Sequence, residues 1–306
     1  MAGPVSTSVP TLILPAAGLG TRMRAVDPSR PKELLPLAGR PLIQHALIQG
    51  MLAGVRTVVV VLRPGKEMIR RYIEEPFTQR TLFPRAWAEM DRLGTRLRIE
   101  FTVQDEADGE CGAILSAREA CGDEPFAVLY PDNVFAGRDR LDRGALEGLV
   151  AGFRRAASPD GASPDGALHL LGLMCLGPEQ AGTVSDSGRV ELGPGPVPDW
   201  PELAEIRTFA PKGNGSFAPG QPGEPRACGL YLALPEYFEA IERARPRGRG
   251  EELTDGQVRR FMQEQGARFF GLPLPGPVFD AGNPAGYQAC RAFLEPGANS
   301  KKYVIR

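Results

Sequence analysis

At 306 residues, with 42% hydrophobic and 24% charged side chains, the chain can bury one large core or two ordinary ones, which excludes a wholly disordered protein. Its 36 Lys and Arg against 37 Asp and Glu give a formal charge of -1, leaving no general basic surface for phosphate backbones, so nucleic acid is excluded as a general partner. No apolar run reaches the roughly 18 residues of a membrane helix, which excludes a membrane-spanning chain. Five cysteines at wide spacing and two histidines support neither a disulfide framework nor a zinc site. Free thiols, and an apolar 11–20 segment with no basic residue before it, are read as a cytoplasmic protein whose first strand lies there.

In chain order, the first half alternates. A strand over 11–16 is followed by a helix over 41–52 stopped at Gly54, a β-branched strand over 57–62 and a helix after Gly65. A strand over 97–103, a helix near 113–120 and a strand over 126–130 continue the pattern. This β-α-β rhythm predicts a mainly parallel sheet covered on both faces, with its ligand loops at the carboxyl ends of the strands. After a helix over 143–155, the tandem repeat ASPDGASPDG at 157–166 reads as an expanded surface loop. A strand over 167–175 and a hairpin arm over 189–192 precede a Gly/Pro-rich stretch, 193–223, expected to be irregular. The Asn214-Gly-Ser match to a glycosylation pattern within it is read as chance. A strand over 227–233, helices over 235–244 and 253–265, a strand over 268–272 and a helix from Pro284 complete the chain. The expected fold is α/β and Rossmann-like, a mainly parallel mixed sheet flanked by helices with a smaller β-rich lobe.

The most informative segment runs from Leu12 to Leu47. A strand enters Ala16-Ala17-Gly18-Leu19-Gly20-Thr21-Arg22, where glycines let backbone N–H groups approach a polyphosphate. Ten residues after Arg22, Lys32 stands in Pro31-Lys32-Glu33-Leu34-Leu35-Pro36, held between two prolines that restrict its backbone. The chain has only five lysines, Lys32, Lys66, Lys212, Lys301 and Lys302, so a lysine placed this way stands out. The segment fits neither GxGxxG nor GxxxxGK[ST]. Gln104 offers a donor and an acceptor that can pair with a base edge, and Asp132 ends an apolar strand; alone, the first reads equally as a loop amide and the second more often as a turn or cap residue.

Together these pieces resemble the sugar-1-phosphate nucleotidylyltransferases, whose signature is A-A-G-x-G-T-R followed by P-K-x-x-L-P. Among them the wording is most similar to the bacterial UTP:glucose-1-phosphate uridylyltransferases. The resemblance continues in Gln104 to Gly109, in Tyr130-Pro131-Asp132, in Cys228-Gly229-Leu230-Tyr231, in Glu251-Glu252-Leu253-Thr254-Asp255 and in Phe279-Asp280-Ala281-Gly282. It implies the nucleotide-diphospho-sugar transferase fold in a single domain, with about 9–140 for the nucleotide, about 141–292 for the sugar, and a tail over 293–306. It also implies catalytic Arg22, Lys32 and Asp132, and nucleotide contacts from Ala16 to Thr21, Gln104 and Gly109. Asn133, Gly229, Glu251 and Lys212 would serve the sugar phosphate, and Asp132 with Asp280 would hold Mg²⁺.

The implied substrates are a nucleoside triphosphate and a sugar 1-phosphate, UTP and glucose 1-phosphate first, in a homo-oligomer. Another triphosphate (dTTP, CTP or a purine) with another phosphorylated acceptor, or an inactive nucleotide-binding regulatory subunit, are the alternatives left open. Three departures stand out. The family's Val-Glu-Lys-Pro is absent from the 206–213 stretch, where Lys212 is either a displaced phosphate ligand or an exposed loop lysine. Its Gly-Leu-Gly-His reads Gly109-Glu110-Cys111-Gly112, and its Pro-x-Thr-Lys reads Ala25-Val26-Asp27-Pro28. Cys111 and His45 are read as packed structural residues.

Overall fold

The computed structural model describes residues 7–106, 108–136, 144–156, 168–176, 180, 182–194, 201–213, 223–245 and 252–295. The repeat at 157–166, Asn214, Glu251 and most of the 293–306 tail lie outside them.

Strand β1 (Thr11–Pro15) is buried along its whole length. It runs through the Gly18–Gly20 turn into two short 3₁₀ segments (Thr21–Ala25 and Lys32–Leu34) and a minimal hairpin, β2 (Pro36–Leu37) with β3 (Arg40–Pro41). Helix α1 (Leu42–Ala53) stops where Gly54 adopts φ 74°, a left-handed value that suits glycine. β4 (Thr57–Leu62) follows, then α2 (Glu67–Glu74), α3 (Pro76–Leu82) and α4 (Trp87–Arg96) before β5 (Arg98–Val103). The two helices over 76–96 were not anticipated. The helix expected near 113–120 is instead α5 (Glu110–Leu115) and α6 (Arg118–Cys121). At the break, the Ser116 hydroxyl donates to the Ala113 carbonyl at 2.8 Å, a local bond that competes with helix continuation.

β6 (Phe126–Leu129) leads into β7 (Asn133–Phe135), and α7 (Ala145–Ala156) into β8 (His169–Leu176). β9 (Val190–Leu192) pairs antiparallel with β10 (Ala204–Phe209), a strand inside the stretch expected to be irregular. Its register shifts between Ile206 and Thr208, so Ile206 and Phe209 are buried with two exposed residues between them. That bulge erases the period-two signal. β11 (Glu224–Ala233), α8 (Glu236–Ala244), α9 (Asp255–Glu264), β12 (Phe269–Pro273), β13 (Val278–Asp280) and α10 (Pro284–Leu294) close the chain.

Among the described residues, nine strands form one mixed sheet in the order β5-β4-β1-β6-β11-β8-β12-β10-β9. The first four are mutually parallel, as the β-α-β rhythm required; β11 enters antiparallel to both β6 and β8. Alternate residues of β1 and β4 serve opposite faces. Leu12, Leu14, Val58 and Val60 pack in one core and Ile13, Val59 and Val61 in the other. From β1 the chain steps outward to β4 and β5, then crosses back to lay β6 on the other edge of β1. The winding reverses between β1 and β6, and in open α/β sheets the crevice beyond such a reversal receives the ligand. No helix among the described residues is long and apolar enough to cross a membrane.

Candidate active site

The turn leaving β1 opens on that crevice. A Cβ built on Gly18 meets nothing within 4 Å, and Gly20 sits at φ 62°, which turns the chain into the 3₁₀ segment whose Met23 anchors it in the core. A Cβ on Gly20 would lie 3.5 Å from Lys32 Cγ, so the lysine runs directly beneath the turn. Its Nζ lies 2.5 Å from Asp132 Oδ2. Burial disfavours both charges, but the pairing outweighs it: Lys32 holds its proton more tightly than usual, and Asp132 gives up its own more readily.

A second ion pair locks the lysine's backbone from behind. Lys66 Nζ donates to both Glu33 oxygens at 2.8 and 2.9 Å and to the Ala16 carbonyl at 2.6 Å. Both side chains of this pair are buried. The segment next to Lys32 is thereby fastened to the end of β1.

The aspartates meet through a ribbon too short to show in a pattern. β7 and β13 pair antiparallel with Asn133 opposite Asp280, and the Ala281 N–H donates to the Asp132 carbonyl at 2.8 Å. Both carboxylates converge over Gly282, where a Cβ would lie 2.3 Å from Asp132 Oδ2 and 3.0 Å from Asp280 Oδ1. Asp280 is oriented by three donors, the Gly282 N–H at 2.9 Å and the Ser185 N–H and hydroxyl at 3.1 and 2.7 Å. Arg22 Nη1 donates to the same Ser185 hydroxyl at 2.9 Å. Among the described residues no group of three or more His, Cys, Asp or Glu could hold a metal. Two hard oxygen donors over a side-chain-free glycine fit Mg²⁺, which takes few protein ligands and completes its shell with water and phosphate.

Gln104 follows β5. Its amide nitrogen is engaged by Asp108 Oδ1 at 2.6 Å and the Gly109 carbonyl at 2.9 Å, which leaves its carbonyl oxygen to accept an N–H from a base. Asp108 is held in turn by Arg245 at 2.6 Å. On the far side, the Gly229 carbonyl accepts from the Tyr130 N–H at 2.8 Å and the Gly229 N–H donates to Asn133 Oδ1 at 3.2 Å. A Cβ at Gly229 would lie 2.7 Å from Asn133 Nδ2. Lys212 stands just past β10, and Glu110 opens α5. One cavity of about 1120 Å³ is lined by the 17–22 turn, Lys32, Gln104, Glu110, Asp132, Lys212, Gly229 and Asp280, which is room for two substrates rather than one.

Residues 11–159 match the family model for nucleotidyl transferase. The chain carries a nucleotidyl transferase domain. Over 300 residues it is 27% identical to the UTP--glucose-1-phosphate uridylyltransferase of Haemophilus influenzae, covering 95% of this chain and 94% of the relative. Over 301 residues it is 26% identical to the enzyme of the same name from Escherichia coli K12, covering 96% and 92%. A solved structure of UDP-glucose pyrophosphorylase complexed with UDP-glucose shares the fold at TM-score 0.72 and 21% identity, over 93% of this chain and 97% of that one.

Within the nucleotidyl transferase domain, Ala17 to Arg22, Lys32, Gln104, Gly109, Asp132 and Asn133 all line the cavity, joined from beyond it by Lys212, Gly229 and Asp280. Ala16 does not line it. It is fully buried, and its carbonyl faces Lys66. Cys111 is buried with its thiol pushed up by that burial, and His45 Nε2 lies 2.9 Å from the Leu37 carbonyl, so both serve packing. Ser185 and Arg63, both on the cavity wall, had no sequence signal. Ser185 lies in an irregular loop. Arg63 follows β4 between the ends of β1 and β5, lines the cavity, and has no side-chain partner among the described residues.

Proposed function

We propose that the chain transfers the uridylyl group of UTP to glucose 1-phosphate, releasing pyrophosphate and forming UDP-glucose. The observation that carries this reading is the convergence of Lys32, Asp132 and Asp280 beside the Gly18 turn, in one cavity large enough for both substrates. The identity with uridylyltransferases over nearly the whole chain supports the choice of substrates.

The acceptor's phosphate oxygen attacks the α-phosphorus in line, and the bond to the pyrophosphate oxygen breaks. A monoester's second pKa is about 6, so the nucleophile is ionised at neutral pH and no general base is needed. The work left to the protein is to align two anions and screen their repulsion. Backbone N–H groups of the 18–21 turn and Arg22 face the triphosphate, and Lys32 stands over the α-phosphate. A Mg²⁺ held by Asp132 and Asp280 would supply Lewis-acid neutralisation of phosphate charge. Gln104, with its nitrogen occupied, accepts the imide N–H of uracil. Gly229 and Asn133 form the floor beneath the acceptor, with Lys212 at the edge for its phosphate.

A second reading keeps this chemistry with another sugar 1-phosphate. It is favoured by Phe209 and Ala210, which leave the end of β10 without a charged side chain. Pyrophosphate release from UTP, dTTP, CTP and ATP, each with a panel of sugar 1-phosphates and Mg²⁺, separates the two. UTP with glucose 1-phosphate is expected to be fastest. Triphosphate binding without pyrophosphate release for any pair would contradict both readings and favour a regulatory subunit.

A further inference from the structure

Asp255 and Glu110 line the cavity side by side where α5 meets α9, and of this pair only one can address a substrate. Asp255, the first residue of α9, is saturated. Its Oδ1 accepts from the Tyr231 and Tyr237 hydroxyls at 3.1 and 3.2 Å, and its Oδ2 from the Tyr130 hydroxyl at 3.0 Å and Arg259 Nη2 at 3.2 Å. Glu110 differs. Its Oε1 accepts from the Asp255 backbone N–H at 2.8 Å, while its Oε2 has no partner among the described residues, and the residue lines the cavity.

Its placement is built. A Cβ on Gly109 would lie 2.8 Å from the Leu253 carbonyl oxygen, and the Cys111 N–H donates to that same carbonyl at 3.3 Å. The start of α5 is therefore clamped to the segment entering α9. Lys212, on the same cavity, lies near enough for its charge to act on the Glu110 carboxyl. The end of β10 carries Phe209, whose ring packs edge-on against Phe269 at 5.2 Å. Burial and the Asp255 charge together push Glu110 up to about 7. A carboxyl kept in a cavity wall against that penalty, beside a cation on the same wall, is a candidate functional position.

We propose that Glu110 is a specificity-determining residue: its outward carboxylate oxygen accepts hydrogen bonds from ring hydroxyls of the acceptor sugar, with Lys212 nearby on the same cavity wall engaging the phosphate. This deepens the reaction proposed above and rests on it. A sugar is selected by leaving unmet no carboxylate oxygen that its own binding shuts off from water. An acceptor lacking the facing hydroxyl strands that oxygen, which costs more than the lost bond alone.

The test is Glu110→Gln, which preserves shape and leaves an amide oxygen for the Asp255 N–H. Wild type and variant are compared in acceptor KM for glucose 1-phosphate and a set of its monodeoxy analogues, and in Mg·UTP affinity by calorimetry without acceptor. The expected result is an acceptor KM raised about tenfold or more, the worth of a hydrogen bond to a charged group, with UTP affinity unchanged. One deoxy analogue should be a poor substrate for the wild type only by comparison with glucose 1-phosphate, a gap that the variant closes. Should Glu110→Gln not fold, Glu110→Asp, which withdraws the charge by one carbon, is read the same way. An unchanged acceptor KM overturns the proposal, as does a loss of UTP affinity with the acceptor KM intact. Failure of the wild type to use any sugar 1-phosphate would instead overturn the reaction itself.

Discussion

The nucleotide end and the acceptor end of the cavity are assembled in different ways. At the nucleotide end, Gly18 to Arg22, Arg63, Gln104 and Asp132 follow the carboxyl ends of four adjacent parallel strands, β1, β4, β5 and β6. β1, β4 and β6 are buried almost throughout while β5 is the half-exposed edge, and the chemistry is largely backbone and fixed charge. The acceptor end gathers residues from strands β10 and β11, which are far apart in the sheet, and from α5 and α9. The first arrangement tolerates little change, because a displaced strand displaces everything beside it. The second can exchange one contributor for another, because its residues come from separate elements.

If that contrast is right, substitutions at the nucleotide end should be severe and those at the acceptor end graded. Lys32→Ala should lower kcat by about 10²–10³, the usual loss when a preorganised charge is removed from a developing anion; steady-state kinetics with saturating UTP and acceptor read it. Lys66→Met leaves Glu33 buried without its partner and should cost about 3–5 kcal/mol in a urea titration. Adding Glu33→Gln to that variant should recover most of it.

The pH dependence of stability is a milder probe of the acceptor wall. Glu110 takes its ordinary value of 4.5 in the unfolded chain and about 7 when folded, so the folded state binds the proton more tightly between those limits. Its contribution is complete below pH 4.5 and is lost as pH rises through about 7. Between pH 5 and pH 8 the wild type should lose on the order of 1–3 kcal/mol more than Glu110→Gln, measured by urea unfolding at both values. The smallest effect is expected from Lys212→Ala, an exposed cation whose removal should raise the acceptor KM about threefold to tenfold, given solvent screening. An unchanged KM would remove Lys212 from the site.

The same contrast decides what could be read before the structure. Gly18, Gly20, Arg22 and Lys32 were legible because they fall within fifteen residues, in an order with few physical uses. The parallel half of the sheet was legible because β1, β4 and β6 are continuous apolar runs. Asp280 came from the family resemblance, since nothing in a three-residue strand announces its pairing with β7. The bulge in β10 hid a whole strand, and Ser185, oriented by tertiary contacts alone, gave no signal. Glu110 was visible as an unexpected anion, but its segment's docking on α9, which turns one oxygen inward and leaves the other at the cavity, is a long-range contact that no local pattern encodes.

The central claim is that Asp132 and Asp280, brought together by the β7–β13 ribbon, act as one metal-binding unit on the nucleotide that Lys32 faces. The most direct measurement is UDP-glucose formation from UTP and glucose 1-phosphate across a Mg²⁺ titration, for the wild type, Asp132→Asn, Asp280→Asn and the double variant. The account predicts Mg²⁺-dependent turnover that falls about 10²-fold or more in either single variant, and little further in the double, as for groups that work as a unit. Turnover near the wild-type level in Asp280→Asn, or equal turnover without a divalent cation, would contradict it.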